Sequence, residues 1–157
     1  GMEVSARECH VKGEAKVQAA VAKEIEDLHL FFTEWYSGKG FEDKKVQDEG
    51  FAAFLTRFHS DVSYVMPSGN QYDFGFMKGL TKMLGFNPDF KIKVEDIQVS
   101  VVPGSGGKVV TATYKEFQTG AKNSQKDNGR ITTATFVEDE QEKGKFLWYR
   151  IHECWLP

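Results

Sequence analysis

The stretch KFLWYRIHECW, from Lys145 to Trp155, is the most informative segment of this 157-residue chain. Its alternation predicts a β-strand whose successive side chains point to opposite faces. One predicted face carries Phe146, Trp148, Arg150, His152 and Cys154, and the other carries Leu147, Tyr149, Ile151, Glu153 and Trp155. Aromatic residues stand on both faces, whereas a strand with one solvated face would alternate apolar and polar residues. Ionisable groups among aromatic side chains indicate a ligand pocket with a few convergent polar groups.

Composition and charge are those of an ordinary globular protein. Hydrophobic residues make up 40% of the chain and charged residues 27%, with 13 phenylalanines and a net charge of -3. The length fits one domain. Lysines and acidic residues are interspersed, so neither nucleic acid nor an anionic membrane surface is expected as a partner. No apolar run approaches the roughly 20 residues of a membrane span.

The ends of the chain and its cysteines bear on processing and location. Gly1 before Met2 is interpreted as an expression scar, and residues 1–14 as a flexible tail before a single domain at 15–157. Cys9 and Cys154 form no disulfide framework, so a cytoplasmic location is expected. No His-x-His or Cys-x-x-Cys spacing is present, and neither a metal nor a cofactor is predicted.

Apolar periodicity predicts three helices. The first runs from Glu14 to Tyr36, with an apolar stripe and with His29 on its polar side. A second, short helix opens at Asp48 and buries phenylalanines through Phe58. The third is capped by Asp73.

Alternating patterns predict the sheet. Strands are expected at 62–66, 90–101, 109–119, 130–137 and 145–155. The apolar parity slips at Glu95–Asp96, which predicts a β-bulge. The fold class is therefore α+β, with three helices packed on a curved, bulged antiparallel sheet.

This order of elements, with three local motifs, resembles the nuclear transport factor 2-like superfamily, which includes ketosteroid isomerases, scytalone dehydratase, SnoaL-like polyketide cyclases and the association domain of calcium/calmodulin-dependent kinase II. The segment from Phe58 to Gly69 is similar to the family's passage into a strand that ends in a Pro-x-Gly turn. Asn128–Arg130 resembles the start of its penultimate strand. Trp148, followed by Arg150, His152 and Cys154, resembles its last strand. The resemblance implies a cone-shaped fold with a mouth between the sheet and the long helix.

Ketosteroid isomerase activity is not expected from this resemblance. The isomerases have a general-base Asp just before the Pro of that turn, where this chain has Met66. They also place a carboxylic acid on the penultimate strand. Here residues 131–137 contain only threonine, alanine and apolar residues.

The candidate ligand-binding residues come from the predicted pocket face and from neighbouring strands. They are Tyr64, Met66, Tyr114, Glu116, Arg130, Trp148, Arg150 and His152. A buried guanidinium needs an acidic partner or an anionic ligand, so Arg150 either pairs with Glu116 or binds the ligand. His152 is the one weak candidate for a general acid or base, with a satisfied core histidine as the alternative.

The predicted function is that of a SnoaL-like small-molecule-binding domain for a small organic acid or carbonyl compound. One alternative is a dehydratase or cyclase that uses His152 and a tyrosine. The other is a non-catalytic dimeric scaffold with a vestigial pocket. An apolar outer sheet face predicts a homodimer, as the resemblance also implies. Its interface would comprise Leu147, Tyr149, Ile151 and Trp155.

Overall fold

The computed structural model describes residues 6–122 and 125–157, with side chains described from Gly13 onward. Within these residues the chain forms three α-helices, one 3-10 helix and six strands. The helices are α1 (Ala6–Ser37), α2 (Lys44–Leu55) and α3 (Phe74–Lys78), which continues into a 3-10 helix at Gly79–Met83. The strands are β1 (Phe58–Val65), β2 (Gln71–Tyr72), β3 (Lys91–Val101), β4 (Val109–Thr119), β5 (Asn128–Glu138) and β6 (Phe146–Trp155).

Helix α1 has the predicted apolar stripe, since Val21, Ile25, Leu28 and Trp35 are all buried. The helix begins earlier than expected. Helical backbone covers residues 6–14, which were predicted to belong to a flexible tail, and residues 1–5 lie outside the described part of the chain. That segment is rich in good helix formers, so the helix continues without an apolar stripe to mark it.

The two shorter helices differ from prediction at their ends. Helix α2 is capped by Asp43 and stops at Leu55, so Phe58 is the first residue of β1 rather than part of a helix. Asp73 caps α3 as predicted, accepting a hydrogen bond from the backbone of Gly75. Helix α3 then tightens into the 3-10 helix after one turn.

The 3-10 helix is anchored to the end of α1, and this fixes one wall of the cavity described below. The Trp35 indole donates to the Leu80 carbonyl at 2.9 Å, and the Gly85 amide donates to the Trp35 carbonyl at 2.8 Å. Gly38 and Gly85 both have positive φ, and a Cβ at Gly38 would lie 3.3 Å from the Gly85 Cα. Glycine therefore suits both positions.

The strands form one sheet in the order β2-β1-β6-β5-β4-β3. Strands β3 to β6 pair antiparallel, as predicted, whereas β1 pairs with β6 in parallel. The sheet is therefore mixed, with the helices supplying the other layer of an α+β fold. Among the described residues, no helix combines the length and the apolar character needed to cross a membrane.

Two bulges bend the antiparallel part of the sheet, and the pairing of β1 with β6 has a further register shift between Phe58 and Ser63. The bulge predicted in β3 is confirmed: the register shifts between Glu95 and Gln98, and Asp96 has a φ of 56°. The second bulge, in β6, was not predicted. Thr135 lies opposite Arg150 and Phe136 lies opposite Trp148, so Tyr149 is the extra residue.

The second bulge reverses the parity of β6. Phe146 and Trp148 are buried as expected, but Ile151 and Glu153 are buried after the bulge, and Arg150, His152 and Cys154 are exposed. The prediction of one regular alternation through this strand is therefore wrong from Arg150 onward. Because two residues of β6 occupy the place of one, the strand changes face at Tyr149.

The outer face of the sheet differs accordingly from the predicted interface. Ile151 is buried and so is not available on that face. Trp155 pairs with Arg130 and has the inward parity of Ile151 and Glu153, so it also leaves the outer face, where Leu147 and Tyr149 remain half-buried. The same face carries exposed or half-buried threonines at positions 111, 113, 133 and 135. It is thus more polar than the sequence suggested.

Candidate functional site

A cavity of about 260 Å³ lies between the sheet and the helical layer. Side chains from α1, from α3 and its 3-10 extension, and from strands β1, β3, β4, β5 and β6 line it. Most of the wall is aromatic or aliphatic. All three methionines of the described residues, Met66, Met77 and Met83, lie on this wall. Thioether side chains adapt easily to the shape of a bound molecule.

Six of the eight predicted binding residues line this cavity. They are Tyr64, Met66, Tyr114, Glu116, Arg130 and Trp148. The other two, Arg150 and His152, are exposed on the opposite face of the sheet, because the β6 bulge turns them outward. The prediction that they point into the pocket is wrong.

The predicted internal pair between Arg150 and Glu116 is also not formed. Arg150 donates to the Asp61 carbonyl at 2.8 Å, and its guanidinium lies 3.9 Å from the ring centroid of Tyr149. Glu116 is instead paired with His29, which the sequence analysis placed on the polar side of the first helix.

His29 and Glu116 form a buried ion pair on the cavity wall. His29 Nε2 lies 2.9 Å from Glu116 Oε1, and both side chains are less than a tenth exposed. His29 Nδ1 lies 2.6 Å from the carbonyl oxygen of Ile25. A carbonyl can only accept, so Nδ1 carries a proton and donates it. The remaining nitrogen then faces a carboxylate.

The ionisation of this pair follows from its surroundings. Burial alone would lower the pKa of His29, but the charge of Glu116 and the hydrogen bonds to Glu116 and Ile25 raise it above 6.5. Burial alone would raise the pKa of Glu116, but the charge and hydrogen bond of His29 lower it below 4.5. Both shifts favour the charged forms of the pair, a histidinium beside a carboxylate.

A second polar group joins β5, β6 and β1. Arg130 Nη1 donates to Glu153 Oε2 at 3.1 Å, and both side chains are 4% exposed. The Tyr64 hydroxyl donates to the other oxygen of Glu153. Asn128 accepts from Arg130 through Nε and Nη2, and the guanidinium lies 4.8 Å from the Trp155 ring centroid.

Glu153 is subject to opposing effects. Burial raises the pKa of Glu153 to about 8, against the smaller lowering effect of the His29 charge. The contact with Arg130 also favours the carboxylate, because a guanidinium stays charged at any ordinary pH. The pKa of Glu153 thus lies above its ordinary value, and the guanidinium of Arg130 opposes that rise. Glu153 is the cavity carboxyl that titrates nearest to neutral pH.

Two tyrosines add neutral donors to the cluster. The Tyr114 hydroxyl lies 3.4 Å from His29 Nε2. Burial raises the pKa of Tyr114 and of Tyr36 well above 10, and the charge of Glu116 acts in the same direction. Both phenols therefore keep their protons.

The atoms that would move a proton are already engaged. Both ring nitrogens of His29 have partners, and Gln118 donates to the second oxygen of Glu116. A carboxylate held by two donors with a lowered pKa is a weak base. His29 and Glu116 are therefore suited to orienting a polar group of a ligand rather than to taking a proton from it.

Sequence reasoning missed two residues of this cluster, His29 and Glu153. His29 follows Val21 and Ile25 at steps of four, which places it on the buried stripe. Glu153 was assigned to the outer face because the bulge at Tyr149 was not recognised.

Similarity to known proteins is found at the level of structure. No family model matches the chain, and no curated protein matches it. An NTF-2-like protein of unknown function from Pseudomonas aeruginosa matches with a TM-score of 0.70 and 22% identity, over 88% of this chain and 99% of that one. A CaMKII hub from S. rosetta matches with a TM-score of 0.60 and 16% identity, over 88% and 95% of the two chains.

An enzyme has a similar structure as well. The hexachlorocyclohexane dehydrochlorinase LinA-type3 from Novosphingobium barchaimii matches with a TM-score of 0.60 and 10% identity, over 90% of each chain. At these identities the likeness concerns the fold, which hosts enzymes and non-enzymes alike. The resemblance drawn from the sequence is confirmed at that level: this chain has the nuclear transport factor 2-like fold.

Proposed function

We propose that this chain is a small-molecule-binding domain whose ligand is a small organic acid or carbonyl compound with an apolar body. The observation that carries the proposal is the polar cluster of His29, Glu116, Arg130 and Glu153 on the wall of an otherwise apolar cavity. A few fixed polar groups in an aromatic pocket orient a ligand, while the apolar wall supplies most of the affinity. Arg130 and Tyr64 are the donors for the acidic or carbonyl group.

The size of the cavity limits the ligand. A volume of about 260 Å³ is below the range of roughly 300–1,000 Å³ that holds drug-sized molecules. A cavity of this size favours a compact ligand over a large one. Single-ring aromatic acids and short branched acids fit this limit, whereas a four-ring steroid exceeds it.

Proton transfer by a histidine is disfavoured by the positions and contacts of His29 and His152. The enzymatic alternative relied on His152, which lies outside the cavity. His29 is inside, but its two nitrogens are engaged by Glu116 and by a helix carbonyl. A vestigial pocket is disfavoured because the cavity is open and charged side chains are buried on its wall. Burying charged groups costs desolvation energy, and apolar residues could fill the same positions without that cost.

Self-association is a further part of the proposal. Ile131 on β5 is 39% exposed and lies on the outer face, as do the half-buried Leu147 and Tyr149 of β6. One structural neighbour is described as a hub. These observations support a homodimer through the outer sheet face, with a contact that includes threonines as well as apolar side chains.

The function is tested with a thermal-shift screen of single-ring aromatic acids, short branched acids and their aldehydes or ketones. A ligand at about a hundred times its dissociation constant stabilises by roughly 2.7 kcal/mol, which raises the melting temperature by several degrees. Ala121 lines the cavity, so Ala121→Phe should abolish the shift by filling it. The matched control is Ala19→Phe on the exposed side of α1, which should keep the shift. Absence of a shift with every compound class would contradict the proposal.

A further inference from the structure

Glu153 occupies the two donors that a ligand carboxylate would need. Arg130 Nη1 lies 3.1 Å from one of its oxygens, and the Tyr64 hydroxyl donates to the other. All three side chains line the cavity, and those of Arg130 and Glu153 are 4% exposed. The protein's own carboxyl therefore lies where the acidic group of a ligand would be held.

The other charged and titratable groups around Glu153 do not change its role. On α1 and β4, His29 and Glu116 form an ion pair that contributes no net charge. The phenols of Tyr36, Tyr114 and Tyr64 come from α1, β4 and β1. Those of Tyr36 and Tyr114 stay protonated because burial raises their pKa. Lys122, an exposed residue of the loop after β4, adds a further cation to the cavity wall. The remaining pair is Arg130 and Glu153, which carries one positive charge when Glu153 is protonated and none when it is ionised.

We propose that Glu153 decides whether this cavity accepts anions: a ligand carboxylate binds beside Arg130 when Glu153 carries a proton and is excluded when Glu153 is ionised. Two carboxylates within a few ångströms of each other in a buried site cannot both be charged at low cost. With Glu153 protonated, the guanidinium is left to pair with the ligand. The selectivity rests on the proposed function, since it requires a cavity that binds small molecules.

Burial places this proton in the accessible range, since it raises the pKa of Glu153 to about 8 and the contact with Arg130 limits that rise. Between neutral and mildly alkaline pH, the preferred ligand should thus change from an anion to its neutral analogue.

The test compares benzoate with its neutral analogue benzamide by isothermal titration calorimetry between about pH 6 and pH 9.5. Benzoate is ionised throughout this range. In the wild type, its affinity should fall by up to about tenfold per pH unit once Glu153 ionises, because one proton is linked to binding. Benzamide affinity should be independent of pH. In Glu153→Gln, benzoate affinity should be independent of pH as well.

The outcomes distinguish the role of Glu153 in excluding anions from the binding of small molecules by the cavity. A benzoate affinity that does not change with pH in the wild type, or that falls equally in Glu153→Gln, overturns the role of Glu153 while binding itself stands. In the second case His29 would be the titrating group. Failure of both compounds to bind at any pH counts against the proposed function as well.

A second variant, Tyr64→Phe, tests the proposal if Glu153→Gln does not fold. Tyr64→Phe leaves the carboxyl in place but removes one donor that stabilises its charged form. The fall in benzoate affinity should therefore move to higher pH in Tyr64→Phe. An unchanged midpoint in a variant with a native circular dichroism spectrum would contradict the proposal.

Discussion

The His29 ring on α1 and the Glu116 carboxylate on β4 are joined by a 2.9 Å contact between Nε2 and Oε1, although 87 residues separate them in sequence. The contact ties the long helix to the sheet at the polar end of the cavity. Stability of the fold and polarity of the site thus depend on the same two side chains.

Replacing Glu116 with Gln should destabilise the protein by about 2–4 kcal/mol. Breaking a buried pair leaves an uncompensated charge, and His29 can relieve part of the cost by losing its proton. Urea denaturation measures the effect. Glu140→Gln, at an exposed position, is the matched control and should change the free energy of unfolding by less than about 0.5 kcal/mol.

The pH dependence of that loss has a defined window. The pKa of folded His29 is raised above 6.5, so its contribution is complete below 6.5 and disappears as the pH rises through the raised value. The pKa of folded Glu116 is lowered below 4.5, so its contribution is complete above 4.5 and disappears as the pH falls through the lowered value. The destabilisation by Glu116→Gln should be largest between 4.5 and 6.5. A loss that grows steadily towards alkaline pH would contradict the ion pair.

Glu153 should make the ligand-free protein less stable as the pH rises. Its folded pKa is raised from 4.5 to about 8, so the folded state binds more protons than the unfolded state in that interval. The expected loss is on the order of 2–4 kcal/mol across the window. Glu153→Gln should remove the contribution of Glu153 to the fall in the free energy of unfolding with pH. His29 and Glu24, whose pKa values are also raised, contribute to that fall in both proteins. Urea denaturation of the wild type and of Glu153→Gln at pH 5, 6.5 and 8 measures how the free energy of unfolding changes with pH in each protein. The same change in both proteins would mean that the folded pKa of Glu153 is not raised.

Arg150→Ala and His152→Ala should leave ligand affinity unchanged. Both side chains lie on the outer face of the sheet, outside the cavity. Substitutions at such exposed positions change stability by about 0.5 kcal/mol or less. Calorimetry with any ligand from the thermal-shift screen measures the affinity. A large loss in either variant would place these side chains inside the site and would refute the position of the β6 bulge.

The bulge in β3 should tolerate glycine at Asp96 and reject a β-branched residue. Asp96 has a φ of 56°, a left-handed conformation that costs roughly 1–2 kcal/mol for most side chains. Asp96→Val should therefore destabilise by about that amount, whereas Asp96→Gly should be near neutral. Ser100→Val, at an exposed position of the same strand, is the control and should be neutral or slightly stabilising. Thermal unfolding distinguishes the three.

Self-association should depend on the outer sheet face. Light scattering at micromolar concentration should give a mass twice that of the 17.8 kDa chain. Ile131→Asp should shift the protein towards the monomer, because a charge would be buried at the contact. The equally exposed Val46 on α2 provides the control, and Val46→Asp should have no effect. A monomeric wild type would exclude the dimer.

The fold was predictable because most of its strands alternate cleanly and its helices carry regular apolar stripes. The β3 bulge could be located because apolar residues change parity at Glu95–Asp96. The same signal exists in β6, where the buried positions run Phe146, Trp148 and then Ile151. It was obscured because Tyr149 is itself aromatic, so both parities looked apolar.

The cluster of the site was only partly predictable for a related reason. Tyr114, Glu116 and Arg130 lie on strands with unbroken alternation, and their inward direction followed from the pattern. His29 is a polar residue on a buried stripe, and composition alone assigns such a residue to the solvent side. The partner of His29 is Glu116 on β4, 87 residues away in sequence, and no local sequence pattern specifies a contact over that distance along the chain. The parallel pairing of β1 with β6 was hidden for the same reason.

The parallel pairing of β1 with β6 also bears on when β1 joins the sheet during folding. The strands β3, β4 and β5 are joined by hairpins, so their contacts are local and close short loops. Phe58 must meet Trp148 across most of the chain, and this closure is costly until the hairpins have brought β6 into place. We therefore expect the β1 wall of the cavity, including Tyr64, to form after the hairpins of β3, β4 and β5. Until β1 pairs with β6, aromatic surface that the finished protein hides would stay exposed to water.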